Sequence, residues 1–396
     1  MVIRPINPEE KIMKSKIQSI AFMYSQDFSQ GEKNPGENEK DYETTRAAFD
    51  ENGKMCSCLE LIPFRVQFDG KSVPMGGIGG VASLPEEREK RYIRHIFEYV
   101  MDEMYEKGVV YSYLYPFSHV YYRKFGYELN MRRRIYPIPI TALKGFEQSG
   151  TLKMVSDLMD RSSVISVYDQ FILDKNLAVH RTERLWNRFF EKDPYKDNVY
   201  LYLWFNAQGE PKGYIQFRPE KQPGGSNTLQ VQELVWLGYS ALKGILSFMG
   251  GLSAQADQMV RKAPDFVDLL PLFKEPYDIK QEIKTFGMNR IVNVAKALEG
   301  TLTPMEAGEL TLEIKDDFFG RNSGSYTLAW EKGRSEVMKG QKSPDLTCDV
   351  QTLTQLITGF CHPEELKGMG RLEVHCHEER IKKLFTPKRL YINNYF

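Results

Sequence analysis

The stretch Met75–Glu128 decides the fold: MGGIGGVASLPEEREKRYIRHIFEYVMDEMYEKGVVYSYLYPFSHVYYRKFGYE. A glycine-rich apolar strand, Met75–Leu84, ends at Pro85. The charged run Glu86-Glu87-Arg88-Glu89-Lys90-Arg91 follows and opens a long helix. Pro85 suits the edge of that start, and Glu86 and Glu87 place negative charge in its first turn. Ile93, Ile96, Phe97, Val100, Met101 and Met104 recur at three- and four-residue steps, which makes one buried face. Gly108 stops the helix. A second apolar strand, Val109–Tyr115, leads to a short aromatic helix and then Phe125-Gly126-Tyr127.

Upstream, Glu9–Tyr24 has the apolar stripe of a helix. The polar run Gly31–Glu43 reads as a mobile connector or as a lid over an acceptor site. Cys56–Gln67 and Ser72–Leu84 form an antiparallel hairpin around Asp69-Gly70. Downstream, Tyr127–Ile140 is a strand carrying Arg132-Arg133-Arg134, and the loop Gly145–Gly150 marks a domain boundary. In the next segment Tyr168–Leu177 and Arg181–Glu191 are helical. Val199–Phe205 and Pro211–Arg218 form a hairpin, and a strand at Leu229–Leu237 precedes a helix over Tyr239–Met249. This repeats the strand-then-helix order of the first domain, without arginines at the helix start. A third segment begins near Met288, with a helix at Arg290–Leu298. Strands follow at Gly308–Lys315, Ser325–Trp330 and Asp345–Val350, with helices at Gln351–Phe360 and His377–Phe385. The aromatic end Tyr391–Phe396 reads as docked, because free termini fray into water.

The chain has 396 residues, enough for two or three domains. Lys+Arg and Asp+Glu both number 53. That balance argues against non-specific nucleic-acid binding, which needs a basic surface. No apolar run reaches the roughly 18 residues of a membrane span, and the N-terminus lacks the apolar core of a secretion signal. A cytoplasmic protein is the expectation. Five cysteines spread over the chain do not make a disulfide framework. Cys56 and Cys58 read as structural residues on one face of a strand. His375 and His377 flank Cys376 with no third ligand evident, so they read as polar residues and no metal is expected.

Two features carry chemistry. Gly77-Ile78-Gly79-Gly80-Val81-Ala82 formally matches a dinucleotide fingerprint. Its glycines lie within a strand rather than between strand and helix, which excludes that reading. They indicate a bulge or a close backbone approach, so that amide groups stay free for a ligand. The helix start, with free N–H groups and Arg88, Lys90, Arg91 and Arg94, suits a phosphate or pyrophosphate. The alternative is a solvated charged face, since Glu86, Glu87 and Glu89 offset the charge.

The order VAS-LPEEREKRYI, then YPFSHVYYRKFGYE, resembles the GCN5-related N-acetyltransferase (GNAT) superfamily, and within it the Eis-like (enhanced intracellular survival) acetyltransferases. The resemblance covers the whole chain and is strongest over residues 75–128. It implies an α/β (α+β) architecture of three domains. These are a GNAT acetyltransferase domain over 1–145, a degenerate GNAT-like domain over 146–287 and a sterol-carrier-like domain over 288–396. It implies acetyl-CoA as co-substrate and a primary amine as acceptor: an aminoglycoside, a polyamine-like molecule or a lysine. By resemblance, the backbone of Val81, Ala82 and Ser83 binds the pantetheine arm and thioester. Glu89, Lys90, Arg91, Tyr92, Ile93 and Arg94 hold the pyrophosphate, and Phe117 and Ser118 line the cofactor. Tyr122 is the general acid and the carboxylate of Phe396 the general base, with its pKa raised among Tyr391 and Tyr395. His119 lies near Tyr122, and Asp41, Glu43 and Glu128 are candidates for an acidic acceptor pocket. A hexamer is implied. One departure stands out: the superfamily's R/Q-x-x-G-x-G/A reads Arg88-Glu89-Lys90-Arg91-Tyr92-Ile93, with arginine in place of a glycine. A non-catalytic lipid- or protein-binding module with a decayed cofactor site is the competing reading.

Overall fold

Two strands run parallel at the centre of the first compact unit, Lys71–Ser83 and Tyr111–Leu114, joined by the helix Tyr92–Glu106. Such a crossover needs a helix, because parallel neighbours cannot be joined by a tight turn. The computed structural model describes residues 1–29 and 41–396; most of the predicted polar loop at Gly31–Glu43, with the side chain of Asp41, lies outside them. This unit comprises Met1–Asn130, Gly287–Lys388 and Tyr395–Phe396. Its first sheet runs Val2–Pro5, Thr45–Phe49, Met55–Phe68, Lys71–Ser83, Tyr111–Leu114 and the end of Glu282–Ile291. The Asp69-Gly70 hairpin turn forms as the sequence predicts, with both residues at positive φ.

The sheet is covered on both faces. Ile17 on the helix Lys11–Phe22 packs with Ala47, Cys58 and Ala82, whereas Ile96, Phe97 and Val100 pack with Ala48, Leu59 and Ile78. Ile78 and Ala82 are four residues apart and would share a face of a regular strand. They face opposite ways because the strand is bulged between them. Cys58 pairs with Ala82 and Glu60 with Gly79, so Leu59 alone opposes Gly80 and Val81. Gly80 sits at φ +55°, the left-handed conformation of a glycine bulge.

The helix after the strand starts later than its charges suggest. Pro85–Glu87 is a separate 3-10 turn, and the α-helix begins at Tyr92 with Arg91 as its N-cap. Glu89 and Arg91, at φ +68° and +63°, break the backbone between them. Glu86 and Glu87 therefore do not occupy the helix's first turn. A second correction concerns Arg290, expected to open a helix. It lies on the strand Glu282–Ile291, whose Met288–Ile291 pairs antiparallel with Tyr111–Leu114; the helix begins at Val294.

The rest of this unit is a five-stranded sheet. Its order is Arg334–Gly340, Gly324–Glu331, Gly308–Lys315, Leu346–Asp349 and Leu372–Val374. The helix Val350–Ile357 is buried along most of its length.

The second unit comprises Met131–Phe286 and Arg389–Asn394. Its strands run in the order Glu128–Pro139, Gln258–Pro264, Asn227–Trp236, Pro211–Lys221, Tyr200–Phe205 and Thr151–Met154. Asn227–Trp236 and Gln258–Pro264 are parallel and joined across the helix Tyr239–Gly250, so the crossover of the first unit recurs. The helix expected over Tyr168–Leu177 instead runs from Leu158 to Ile172, capped by Asp157. Arg181 and Glu233 form a buried ion pair at 2.5 Å inside this unit, joined by the Tyr214 hydroxyl and the Asn393 amide.

Candidate active site

The strand Lys71–Ser83 loses its parallel partner halfway. Its pairing with Tyr111–Leu114 runs from Met75 to Ile78 and stops. Among the described residues no strand neighbours one edge from Gly79 to Ser83, and the bulge at Gly80 lies at the start of this open segment. Amide groups left on such an edge need partners from elsewhere. Val81, Ala82 and Ser83 all lie on it. Ala82 is buried towards the Lys11–Phe22 helix, and the Ser83 hydroxyl is bonded to that of Ser57 at 2.7 Å.

Phe396 lies against the same strand. Its ring packs on Phe64 and Tyr115, with centroids 4.9 and 5.2 Å apart. A methyl group placed on Gly79 would come within 3.5 Å of the Phe396 carbonyl carbon, and one on Gly77 within 2.7 Å of its ring. The absence of a side chain at Gly77 is what admits the ring, whereas a methyl group on Gly79 would make only ordinary contact with the tail. Tyr395 stacks on Tyr115 but is largely exposed. Tyr391, expected beside the terminal carboxylate, instead packs against Phe171 in the core of the second unit. The aromatic surroundings of Phe396 are therefore Phe64 and Tyr115.

The helix start divides its cations into two sets. Lys90 is held by Glu87 at 2.8 Å, which also binds Lys54 at 3.0 Å. Arg94 pairs with Glu98 at 3.0 Å. Arg88 and Arg91 are exposed and form no ion pair among the described residues. Arg91 holds the left-handed backbone that glycine adopts without strain, so the departure in sequence leaves the glycine-like path intact. Ile93 points into the core and Tyr92 packs against it, while Glu89 is exposed.

Tyr122 lies on the short helix His119–Arg123, whose N-cap is Ser118. Its ring meets Phe97, Tyr121 and Tyr127 edge-on, and the exposed ring of Phe117 at 5.4 Å. It shares this core with Ile78 and Ile93, and Val81 packs against it. Burial pushes the Tyr122 hydroxyl well above the usual tyrosine range, so it stays protonated. The buried Nε2 of His119 has no partner among the described residues, and burial lowers its pKa, keeping the ring neutral.

Arg290 is the residue that the sequence did not single out. Fully buried, it donates to the Phe125 carbonyl at the end of the Tyr122 helix and pairs with Asp316 at 2.5 Å. Gly126, at φ +79°, leaves room for that guanidinium. The FGY turn is thus fixed by a charge from a distant strand. Among the proposed acidic groups, Glu128 is spent on Arg123 at 2.7 Å and Arg371 at 3.5 Å, and Glu43 is exposed.

Family models match the chain in three places. A GNAT acetyltransferase domain covers residues 2–130, a second GNAT acetyltransferase domain 177–291, and a sterol carrier protein domain 294–393. No curated protein matches the sequence. Solved structures do, over all of this chain. A GCN5-related N-acetyltransferase from Anabaena variabilis is 25% identical over its full length, with a TM-score of 0.87. A conserved protein of unknown function from Enterococcus faecalis is 24% identical over 99% of its length, with a TM-score of 0.88. Eis1 from Mycobacterium abscessus is 17% identical over its full length, with a TM-score of 0.80, a likeness of fold. The chain therefore carries two GNAT acetyltransferase domains and a sterol carrier protein domain, and it is an acetyltransferase enzyme.

Proposed function

We propose that this chain of two GNAT domains and a sterol carrier protein domain moves an acetyl group from acetyl-CoA directly to a primary amine. The observation that carries the reading is the open edge from Gly79 to Ser83, with Phe396 lying against it. The residues present fit the co-substrate. An unpartnered strand edge suits the amide-like pantetheine arm, and the unpaired Arg88 and Arg91 suit a pyrophosphate beside the helix start. Acetyl-CoA supplies the acyl group as a thioester.

The chain's own groups supply the rest. Tyr122, kept protonated by burial, holds the proton that a departing thiolate needs. The carboxylate of Phe396 takes the proton of the attacking amine. Backbone N–H groups of the bulged stretch Val81–Ser83 that face the open edge orient the acyl group and stabilise charge on its oxygen. The acceptor is a small-molecule amine or a lysine side chain.

An amine panel assayed with acetyl-CoA by free-thiol release tests the activity. Appending residues after Phe396 tests the base. The expected result is a sharp fall in turnover, with acetyl-CoA binding by calorimetry and the circular dichroism spectrum retained. Full turnover in the extended protein removes Phe396 from the mechanism. No acetyl-CoA binding by the unmodified chain would favour the non-catalytic module.

A further inference from the structure

Away from the acyl-transfer site, the edge of the five-stranded sheet gathers three side chains that the proposed reaction does not use. Leu346–Asp349 pairs antiparallel with Leu372–Val374, matching Leu346 to Val374. That register continues past the strand ends, where the amides of His375 and Cys376 both donate to the Asp345 carbonyl, at 2.8 and 3.3 Å. Asp345 is thereby brought beside the His-Cys-His run. His375 turns away and bonds Thr347 through Nε2 at 2.9 Å. His377 takes a left-handed backbone, φ +55°, and its Nδ1 comes back to Asp345 Oδ1 at 2.7 Å. The Cys376 thiol donates to the same oxygen at 2.7 Å. The three donor atoms lie within 4.8 Å of one another.

The carboxylate is fixed from behind. Asp345 Oδ2 accepts the Thr311 amide at 2.7 Å, and the Asp345 amide donates to the Thr311 carbonyl at 2.8 Å. Asp345 is buried, whereas Cys376 and half of His377 are exposed. One ligand is therefore preset and two are free to adjust at the surface.

We infer that Asp345, Cys376 and His377 form a site for a borderline divalent cation of the zinc class. A thiolate, an imidazole and a carboxylate with water in the fourth position make a tetrahedral zinc set. Thiolate and imidazole donors disfavour magnesium and calcium, which take oxygen ligands. Zinc–ligand lengths of about 2.0–2.3 Å set sulfur and oxygen roughly 3.5 Å apart in a tetrahedron. Cys376 and His377 must therefore swing outward by about 1 Å, which their exposure permits. On binding, the thiol proton leaves to solvent and a sulfur–metal bond forms. A nucleophilic Cys-His pair fits less well, because His377 faces the carboxylate and the thiol donates to that carboxylate too. An occupied site would tie the end of the sheet to the start of the helix Glu378–Leu384.

Titration of the tag-free full chain with Co²⁺, after chelator treatment, tests this. The expected result is about one cobalt per chain with a thiolate-to-cobalt charge-transfer band, displaced by Zn²⁺. Cys376→Ser should abolish the band, and His377→Ala should weaken binding at least about tenfold. His375→Ala, whose ring serves Thr347, should leave it unchanged. No band in the wild-type chain, or a band that survives Cys376→Ser, overturns the assignment. Asp345 holds backbone contacts, so the two exposed ligands carry the test, with circular dichroism confirming that each variant is folded.

Discussion

The Tyr122 side chain is buried among rings and its hydroxyl kept protonated, so removing that hydroxyl costs little packing. Tyr122→Phe is expected to lower kcat by about 10²–10⁴-fold, the range for a lost general acid. Stability should change by less than about 1 kcal/mol and acetyl-CoA affinity by little. Unchanged turnover in thiol-release assays would return Tyr122 to the aromatic core as packing alone. Arg91 poses the opposite case. Its left-handed backbone carries a strain of about 1–2 kcal/mol that glycine would not. Against that, glycine loses about 0.5–1 kcal/mol in chain entropy, so Arg91→Gly should leave stability within about 1 kcal/mol. If the amide is the phosphate ligand, calorimetry will show acetyl-CoA binding more tightly to Arg91→Gly. Weaker binding would mean that the guanidinium itself holds the phosphate.

At the scale of elements, the stretch from Met75 to Glu128 was legible because its signals are local. Helical periodicity from Ile93 to Met104, the glycines before Pro85 and the Asp69-Gly70 turn each name their own structure. The helix start was misplaced because nothing in Glu89 or Arg91 announces positive φ; side chains rarely adopt it. The strand Glu282–Ile291 was missed for another reason. Its first half is exposed and its last half wholly buried, so it never shows a two-residue alternation. Asp345, the partner of Cys376, was invisible because only strand register brings it there. The bulged strand allows a sharper test. Gly77 has ordinary backbone angles, yet a methyl group there would lie 2.6 Å from the Phe64 ring and 2.7 Å from that of Phe396. Gly77→Ala should therefore displace the tail while leaving Arg88, Arg91 and the open edge in place. The expected outcome is a fall in kcat of about tenfold or more with acetyl-CoA affinity retained. Equal losses in both would show that the methyl group disturbs the strand rather than the tail.

Across the whole molecule, the recurring feature is the buried tyrosine. Tyr111, Tyr122 and Tyr127 lie in the first unit, and Tyr168, Tyr214 and Tyr391 in the second; burial raises all six. The sequence displayed the abundance of tyrosine but not which rings lose water, since burial depends on contacts between distant segments. Tyr127 is pushed up to about 12, with its hydroxyl 2.6 Å from that of Ser112. The ordinary value is about 10. A raised folded-state pKa means that the folded chain favours the protonated ring. That contribution is complete below pH ~10 and is lost as the pH rises from there towards 12. For Tyr127 alone the difference is about 2–3 kcal/mol at the upper end of that window. Lys388 works the other way. Burial lowers its pKa beside Asp69, so raising the pH towards the ordinary lysine value relieves a penalty. Burial lowers Lys175 in the same way; two lysines do not offset six tyrosines, so alkaline unfolding between pH 10 and 12 is the expected behaviour. Tyrosinate absorbance and far-ultraviolet circular dichroism, followed together through a base titration, decide it. The exposed tyrosines should ionise first without structural change, and the buried ones only as the chain unfolds. Ionisation of all 22 tyrosines near pH 10 with the dichroism intact would show that these rings are not held from water.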